Sequence, residues 1–365
     1  MTAGPTEATA GASPRIAAAM RWPGRIVGLD LARAAAIIGM LAAHVGDSGH
    51  RGNDADGWGW LWVADGRPSA VFAVLAGVTV TLIARADAVG AGHAAIRVAV
   101  RGAILIGAGF ALGLLDTPIA VILTHLGVML LVVIPAMRWG ARALFAAGGV
   151  VLVGGAVAYH SVALAAEGIP VAQTLTGGYY PVIAWAGYVL VGMGIGRLAL
   201  REVATAGALV WMGAVAAVAG YGLGALAGST APWQEPAGPW WASLEAHSTS
   251  PAEMVGNTGV ALLVIGVCLL LARPTAVFFP VLAFGSMSLS VYTAHVIVIA
   301  MAGDQIVWEP SNVSFAALTL SLMAAATVWR VAWGAGPLER LMTIASSRTA
   351  DALAAPRVPH APRRR

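Results

Sequence analysis

Long apolar runs separated by short polar stretches set the rhythm of this chain. Runs of about 20 residues, the length an α-helix needs to cross roughly 30 Å of hydrocarbon, fall near residues 26–45, 68–84, 96–115, 118–136, 143–160, 179–197, 203–228, 253–272, 277–301 and 313–334. The pattern predicts an all-α, polytopic integral membrane protein with about ten transmembrane helices. Residues 1–24, rich in Ala, Gly, Pro and Thr, read as a disordered tail, residues 25–335 as the transmembrane domain and residues 336–365 as an Arg/Pro/Ala-rich tail, irregular after about 345. The first run reads as a retained helix and not as a signal peptide, because Asp30 and Arg33 interrupt the stretch that would have to be uncharged.

Composition removes the soluble alternatives. Of 365 residues, 59% are hydrophobic and 10% charged, with a mean hydropathy of +0.80, far too apolar for a soluble globular chain of this length. The single cysteine, Cys268, excludes an internal disulfide and a thiolate metal site. All 21 basic residues are arginine, and 18 of them lie in the two tails and the even-numbered connections. Because cytoplasmic loops keep Lys and Arg, both termini are expected in the cytoplasm. The expected location is a bacterial inner (plasma) membrane, as a multi-pass protein. The longest outer connections are 46–67 and 229–252, and the second is crowded with Trp233, Trp240, Trp241 and His247. Such aromatics either stack on sugars or settle at the membrane interface.

The first span carries the most informative chemistry. Asp30, Arg33 and His44 share one face at about 100° per residue, with His44 about 16 Å beyond Arg33 along the axis. A lipid-facing charge costs on the order of 2.5 to 3.5 kcal/mol, so this face is expected to point into the bundle. The i,i+3 spacing also allows a plain Asp30–Arg33 ion pair. His125 and His295 are delivered by two other spans to a similar depth, in the outer half with His44. His160 and His247 are expected at or beyond the outer interface, and His93 and His360 in solvent on the cytoplasmic side. No intramembrane histidine has a neighbouring ligand at HxxxH or HxxE spacing, so no metal is expected. A GxSxG elbow and a Walker-type loop are both lacking.

The segment Asp30-x-x-Arg33 followed by His44 resembles the Arg-x10-His signature of acyltransferase-three-type membrane acyltransferases. A wider resemblance, to bacterial relatives of the heparan-α-glucosaminide N-acetyltransferase catalytic domain, rests on Arg25 to His44, on Val63-Ala-Asp65-Gly-Arg67-Pro-Ser-Ala-Val-Phe72 to Gly77, on Thr176-Gly-Gly-Tyr-Tyr180-Pro181 with Trp185, and on Gly285-Ser-Met-Ser-Leu-Ser-Val-Tyr292. One departure is Ala34, where the family pattern has Gly after the arginine. The resemblance implies transfer of an acetyl or other short acyl group from cytoplasmic acyl-CoA to a hydroxyl or amine of a cell-envelope glycan. It implies that Arg33 attracts the anionic CoA or, with Asp30, holds the helix. His44 or His50 would be the general base or acyl carrier, and Arg67 beside Asp65 would polarise the carbonyl or anchor the helix end. His125, His295, Tyr180 and Trp185 would support the site or bind substrate. Expected partners are membrane lipid, the acyl donor and a sugar acceptor, with homo-oligomers open and no nucleic acid. The competing reading is a secondary transporter with a polar path along helix 1, and a third is an envelope-assembly partner without chemistry.

Overall fold

In the computed structural model the described residues are 19–48, 59–162, 178–229, 238–273 and 275–354. They form helices α1 (Val27–Val45), α2 (Arg67–Ala86), α3 (Ala91–Gly113), α4 (Leu123–Val132), α5 (Ala141–Val162), α6 (Val182–Ile195), α7 (Val203–Leu226), α8 (Pro251–Leu271), α9 (Phe279–Ser286), α10 (Ser288–Ala302), α11 (Gln305–Trp308), α12 (Asn312–Trp333) and α13 (Pro337–Leu353). No strand occurs among the described residues. Each of the ten apolar runs contains a helix. Among the described residues, seven helices are long and apolar enough to span a membrane, or eight if the bent α9–α10 pair is one span, while α4 and α6 are shorter.

Helix lengths follow what surrounds them. In α6 every residue except Ile183 is buried, because α2, α4 and α5 pack around it; a helix enclosed by protein has no hydrocarbon thickness to match. At its crossing with α2 the two backbones touch. A Cβ on Gly77 would overlap the Val189 carbonyl, and one on Gly192 would overlap that of Val74, so small residues set the interhelical distance. α1 is fixed in the same way. A Cβ on Gly28 would strike Leu269 of α8, and one on Gly285 of α9 would overlap the Asp30 carbonyl. The close approach that a glycine after Arg33 would allow is therefore supplied by Gly285 on the facing helix, with Ala34 fully buried against it.

Two features depart from the expected ten straight spans and loose tail. The ninth run is broken at Met287, where α9 and α10 meet at 83°. The open N–H groups of α10 are satisfied from α13. The Glu339 carboxylate accepts from Leu289 N (2.7 Å), Ser290 N (3.1 Å) and the Ser290 hydroxyl (2.6 Å), a favourable place for an anion. Residues 337–353, expected as tail, form a regular helix whose Met342, Ser346 and Ala350 make a buried i,i+4 stripe against α3. Its far end is held by His93, which lies between Asp87 (2.7 Å) and Asp351 (3.0 Å) and so is not simply solvated. Outside the spans, burial raises the pKa of Asp87, but hydrogen bonds from His93, Gly90, Arg97 and Val89 outweigh it and bring it down to about 2.

Candidate active site

Asp30 stands in the first turn of α1, 1% exposed, and a buried carboxylate needs partners. Two arginines supply them. Arg25 donates through Nε to Oδ2 (2.8 Å) and through Nη2 to Oδ1 (2.5 Å), and Arg33 through Nη1 to Oδ1 (2.9 Å). Arg33 Nη2 also donates to Thr79 of α2 (3.0 Å). The expected Asp30–Arg33 pair is thus one half of a triad in which a single anion serves two cations.

This triad forms part of the wall of a cavity of about 770 Å³, to which Arg101, Arg201, Arg330 and Arg340 also contribute. The lining holds six arginines and two carboxylates, Asp30 and Glu339. Several of these arginines use neutral partners: Arg101 donates to Thr343 (3.3 Å), Arg201 to the carbonyls of Gly24 and Arg25, and Arg330 to that of Ala19 (3.3 Å) while lying over the Trp22 ring. The surplus positive charge gives this lining the chemistry that suits a polyanion. Apolar Phe72, Leu75 and Met40, with Ile122 and Tyr292, line the same cavity.

Beside Tyr292 sits the histidine pair. His44 of α1 and His295 of α10 stack with ring centroids 5.5 Å apart and planes at 18°. Tyr292 meets His295 edge-on at 4.8 Å, an i,i+3 pair on one helix face. His295 is fully buried, and neither of its ring nitrogens has a hydrogen-bond partner among the described residues. Such an imidazole is costly unless a further polar group arrives.

A second aromatic group adjoins the first through the segment before α4. The Tyr292 hydroxyl accepts from Ile122 N–H (3.3 Å), and the Tyr180 hydroxyl donates to the Ala120 carbonyl (3.3 Å). Tyr180 packs against His125 (5.8 Å), Trp185 (5.0 Å) and His247 (5.1 Å). His247, expected at or beyond the outer interface, is folded inward and stacks on Trp185 at 15°; burial lowers its pKa to about 4. It adopts a left-handed φ of 63°, as does Thr249 at 54°, a strained geometry for residues with side chains. Buried Glu253 holds this turn by accepting from His247 N (2.9 Å), Ser248 Oγ (3.0 Å) and Thr249 N (2.8 Å). Ser250 caps α8 by accepting from Glu253 N.

Arg67 belongs to another network. It donates to the Tyr221 hydroxyl (3.0 Å), the Trp62 carbonyl (3.2 Å) and the backbone carbonyl of Asp65 (3.4 Å), and Tyr221 donates to Asn257, which bonds Glu253. These contacts anchor the start of α2 and join it to α7 and α8, on a different wall from the histidine stack. His50 lies outside the described residues. Of the expected residues, the structure brings together Asp30 with Arg33, His44 with His295, and His125 with Tyr180 and Trp185. Sequence reasoning gave no site role to Glu253, to Arg101, Arg201, Arg330 and Arg340, or to Tyr292 and His247, which it named only within a family segment and in the outer aromatic loop. Two signals were readable: Tyr292-x-x-His295 on one helix face, and the Ser250-x-x-Glu253 capping box.

Residues 25–226 match the family model described as heparan-alpha-glucosaminide N-acetyltransferase, catalytic, a stretch that includes α1 to α7 and, with them, Asp30, Arg33 and His44. No curated protein and no solved structure matches the chain.

Proposed function

We propose, for a chain that belongs to the heparan-alpha-glucosaminide N-acetyltransferase catalytic-domain family, that it transfers an acetyl or other short acyl group across the membrane, from acyl-CoA to a hydroxyl or amine of an envelope glycan. The observation that carries this reading is one cavity lined by six arginines and by Tyr292, which stands beside the His44–His295 stack. The phosphates of CoA suit the arginines, its uncharged pantetheine arm suits the apolar lining of Phe72, Leu75 and Met40, and a thioester beside Tyr292 lies near the imidazoles. The arginine bias of the tails and even-numbered connections supports a cytoplasmic position for the phosphates, in a bacterial membrane and with residues 25–335 as the membrane domain in this reading.

The chemistry needs a base and an open path. The acceptor oxygen or nitrogen attacks the thioester carbonyl, the C–S bond breaks, and the thiolate leaves with the sulfur electrons. His44 takes the proton the acceptor loses, with His295 holding its ring in the stack; His50 is the other candidate base. Arg33 and Arg25 bind the donor, and Asp30 keeps both guanidinium groups in place. Arg67 anchors a helix end, and Tyr180, Trp185 and His125 support the segment against Tyr292.

Purified protein given radiolabelled acetyl-CoA and a mixed envelope-glycan extract tests this reading. Label is expected in glycan with wild type and lost with His44→Ala; loss with His50→Ala alone reassigns the base, and no label with a folded protein overturns acyl transfer. The broken α9–α10 span favours a second reading, a secondary transporter, since interrupted helices line transport sites. That reading predicts solute flux without acyl-CoA.

A further inference from the structure

On the face of α1 opposite the donor cavity lies a larger space of about 970 Å³ that neither Asp30, Arg33 nor the histidines touch. Its walls are α1 (Ala35, Ile38), the 3-10 turn Gly59–Ala64, the start of α2, α7 (Ala225), α8 (Val264) and Phe315 of α12. α1 is therefore a partition. At about 100° per residue, Arg33, Met40 and His44 face one side of it, and Ala35, Ile38 and Ala42 the other.

The groove has one cationic group, at the start of α2. Arg67 spends Nε on Tyr221 and Nη1 on two backbone carbonyls, and its ion sits over the rings of Trp62 (5.3 Å) and Tyr221 (4.9 Å). No carboxylate pairs with it among the described residues, and its Nη2 is neither bonded nor enclosed. Trp60 and Val63 on the rim are 56% and 43% exposed, the kind of aromatic edge that sits at a membrane interface. An apolar trough of this size does not hold water readily, and a guanidinium at its head with an open Nη2 and only neutral partners does not suit a purely hydrocarbon occupant.

We infer that this groove is a binding site for an anionic phospholipid, its acyl chains lying along Ala35, Ile38 and Val264 and its phosphate bonded to Arg67. The charge matches, since guanidinium binds phosphate oxygens directly. The site is independent of the acyl-transfer reading, because none of its residues lines the donor cavity.

Full-length protein is purified, washed extensively in detergent, reconstituted with phosphatidylglycerol or phosphatidylcholine, and examined by lipid retention on native mass spectrometry. Wild type is expected to retain phosphatidylglycerol in preference to phosphatidylcholine. Arg67→Gln lowers retention of phosphatidylglycerol about fivefold, the loss of one cation at an anionic head group, and Arg67→Lys recovers most of it. Ala225→Trp, a change at an exposed position inside the groove, abolishes retention of both lipids without lowering the unfolding midpoint of the washed protein, so it remains informative even if Arg67→Gln misfolds. Equal retention by wild type and Ala225→Trp overturns the site. Equal retention of the two lipids by wild type overturns the preference for an anionic head group, since both carry a phosphate and only phosphatidylglycerol is a net anion. Retention of a lipid-carried sugar from a membrane extract in place of phosphatidylglycerol also overturns the assignment, in favour of a lipid-linked acceptor.

Discussion

At the residue scale, Asp30 is the strongest structural charge, because it is nearly inaccessible and two arginines depend on it. Breaking a buried ion pair costs roughly 3 to 5 kcal/mol. Asp30→Asn is expected near the lower bound, about 3 kcal/mol, because the Arg25 side chain is 40% exposed and screened; chemical denaturation in micelles measures it. Arg33→Gln keeps the fold but loses a charge-assisted contact to donor phosphate, so the Kd for acetyl-CoA by titration calorimetry rises roughly tenfold or more. An unchanged Kd would make Arg33 a purely structural partner of Asp30 and Thr79. His247 supplies a pH effect. Its pKa in the fold, about 4, lies below the ordinary value near 6.5, so the neutral ring contributes stability that is whole above pH 6.5 and is lost as pH falls towards 4. The loss is on the order of 3 kcal/mol. The unfolding midpoint of wild type should drop across that window more than that of His247→Phe, which keeps a ring on Trp185; parallel curves would show that His247 is not the titrating group.

At the element scale, helix contacts are set by where glycine permits backbone to meet backbone. Gly77→Ala drives a Cβ into the Val189 carbonyl and should separate α2 from α6 at a cost of about 1 to 3 kcal/mol. Gly107→Ala, with nothing within 4 Å of the added carbon, should be neutral or stabilising by up to about 1 kcal/mol. Thermal unfolding of the two variants compares them directly, and equal effects would contradict the crossing. Helix positions were legible because a run of apolar residues has few other solutions in a bilayer. The break at Met287 was not, since no charged residue interrupts 277–301 and the start of α10 is held by Glu339, fifty residues away. α13 was hidden by its composition: its helical stripe of Met342, Ser346 and Ala350 is too weakly apolar to stand out without α3 beside it.

At the scale of the whole molecule, the described helices arrange two compartments around α1. A cavity lined by six arginines and by Tyr292, the neighbour of His295, lies on one side, and an apolar groove lies on the opposite side. The polar face of α1 was readable, since Asp30, Arg33 and His44 recur at helical spacing. The partners that complete the site were not. Tyr292 and His295 come from a helix some 250 residues away in sequence, and nothing local marks Arg101, Arg330 or Arg340 as cavity lining among the other arginines. The packing of His247 on Trp185 was not readable for a related reason, because it rests on Glu253 holding the loop turn.

The central claim is that one cavity carries an acyl donor from the arginine end to His44. It is tested most directly in sealed proteoliposomes of checked orientation, with radiolabelled acetyl-CoA confined to the arginine side and envelope glycan to the other. The account predicts label in the glycan across the bilayer, abolished by His44→Ala and weakened by Arg33→Gln. Label that appears only when donor and acceptor share the same compartment, or that survives His44→Ala undiminished, would contradict it.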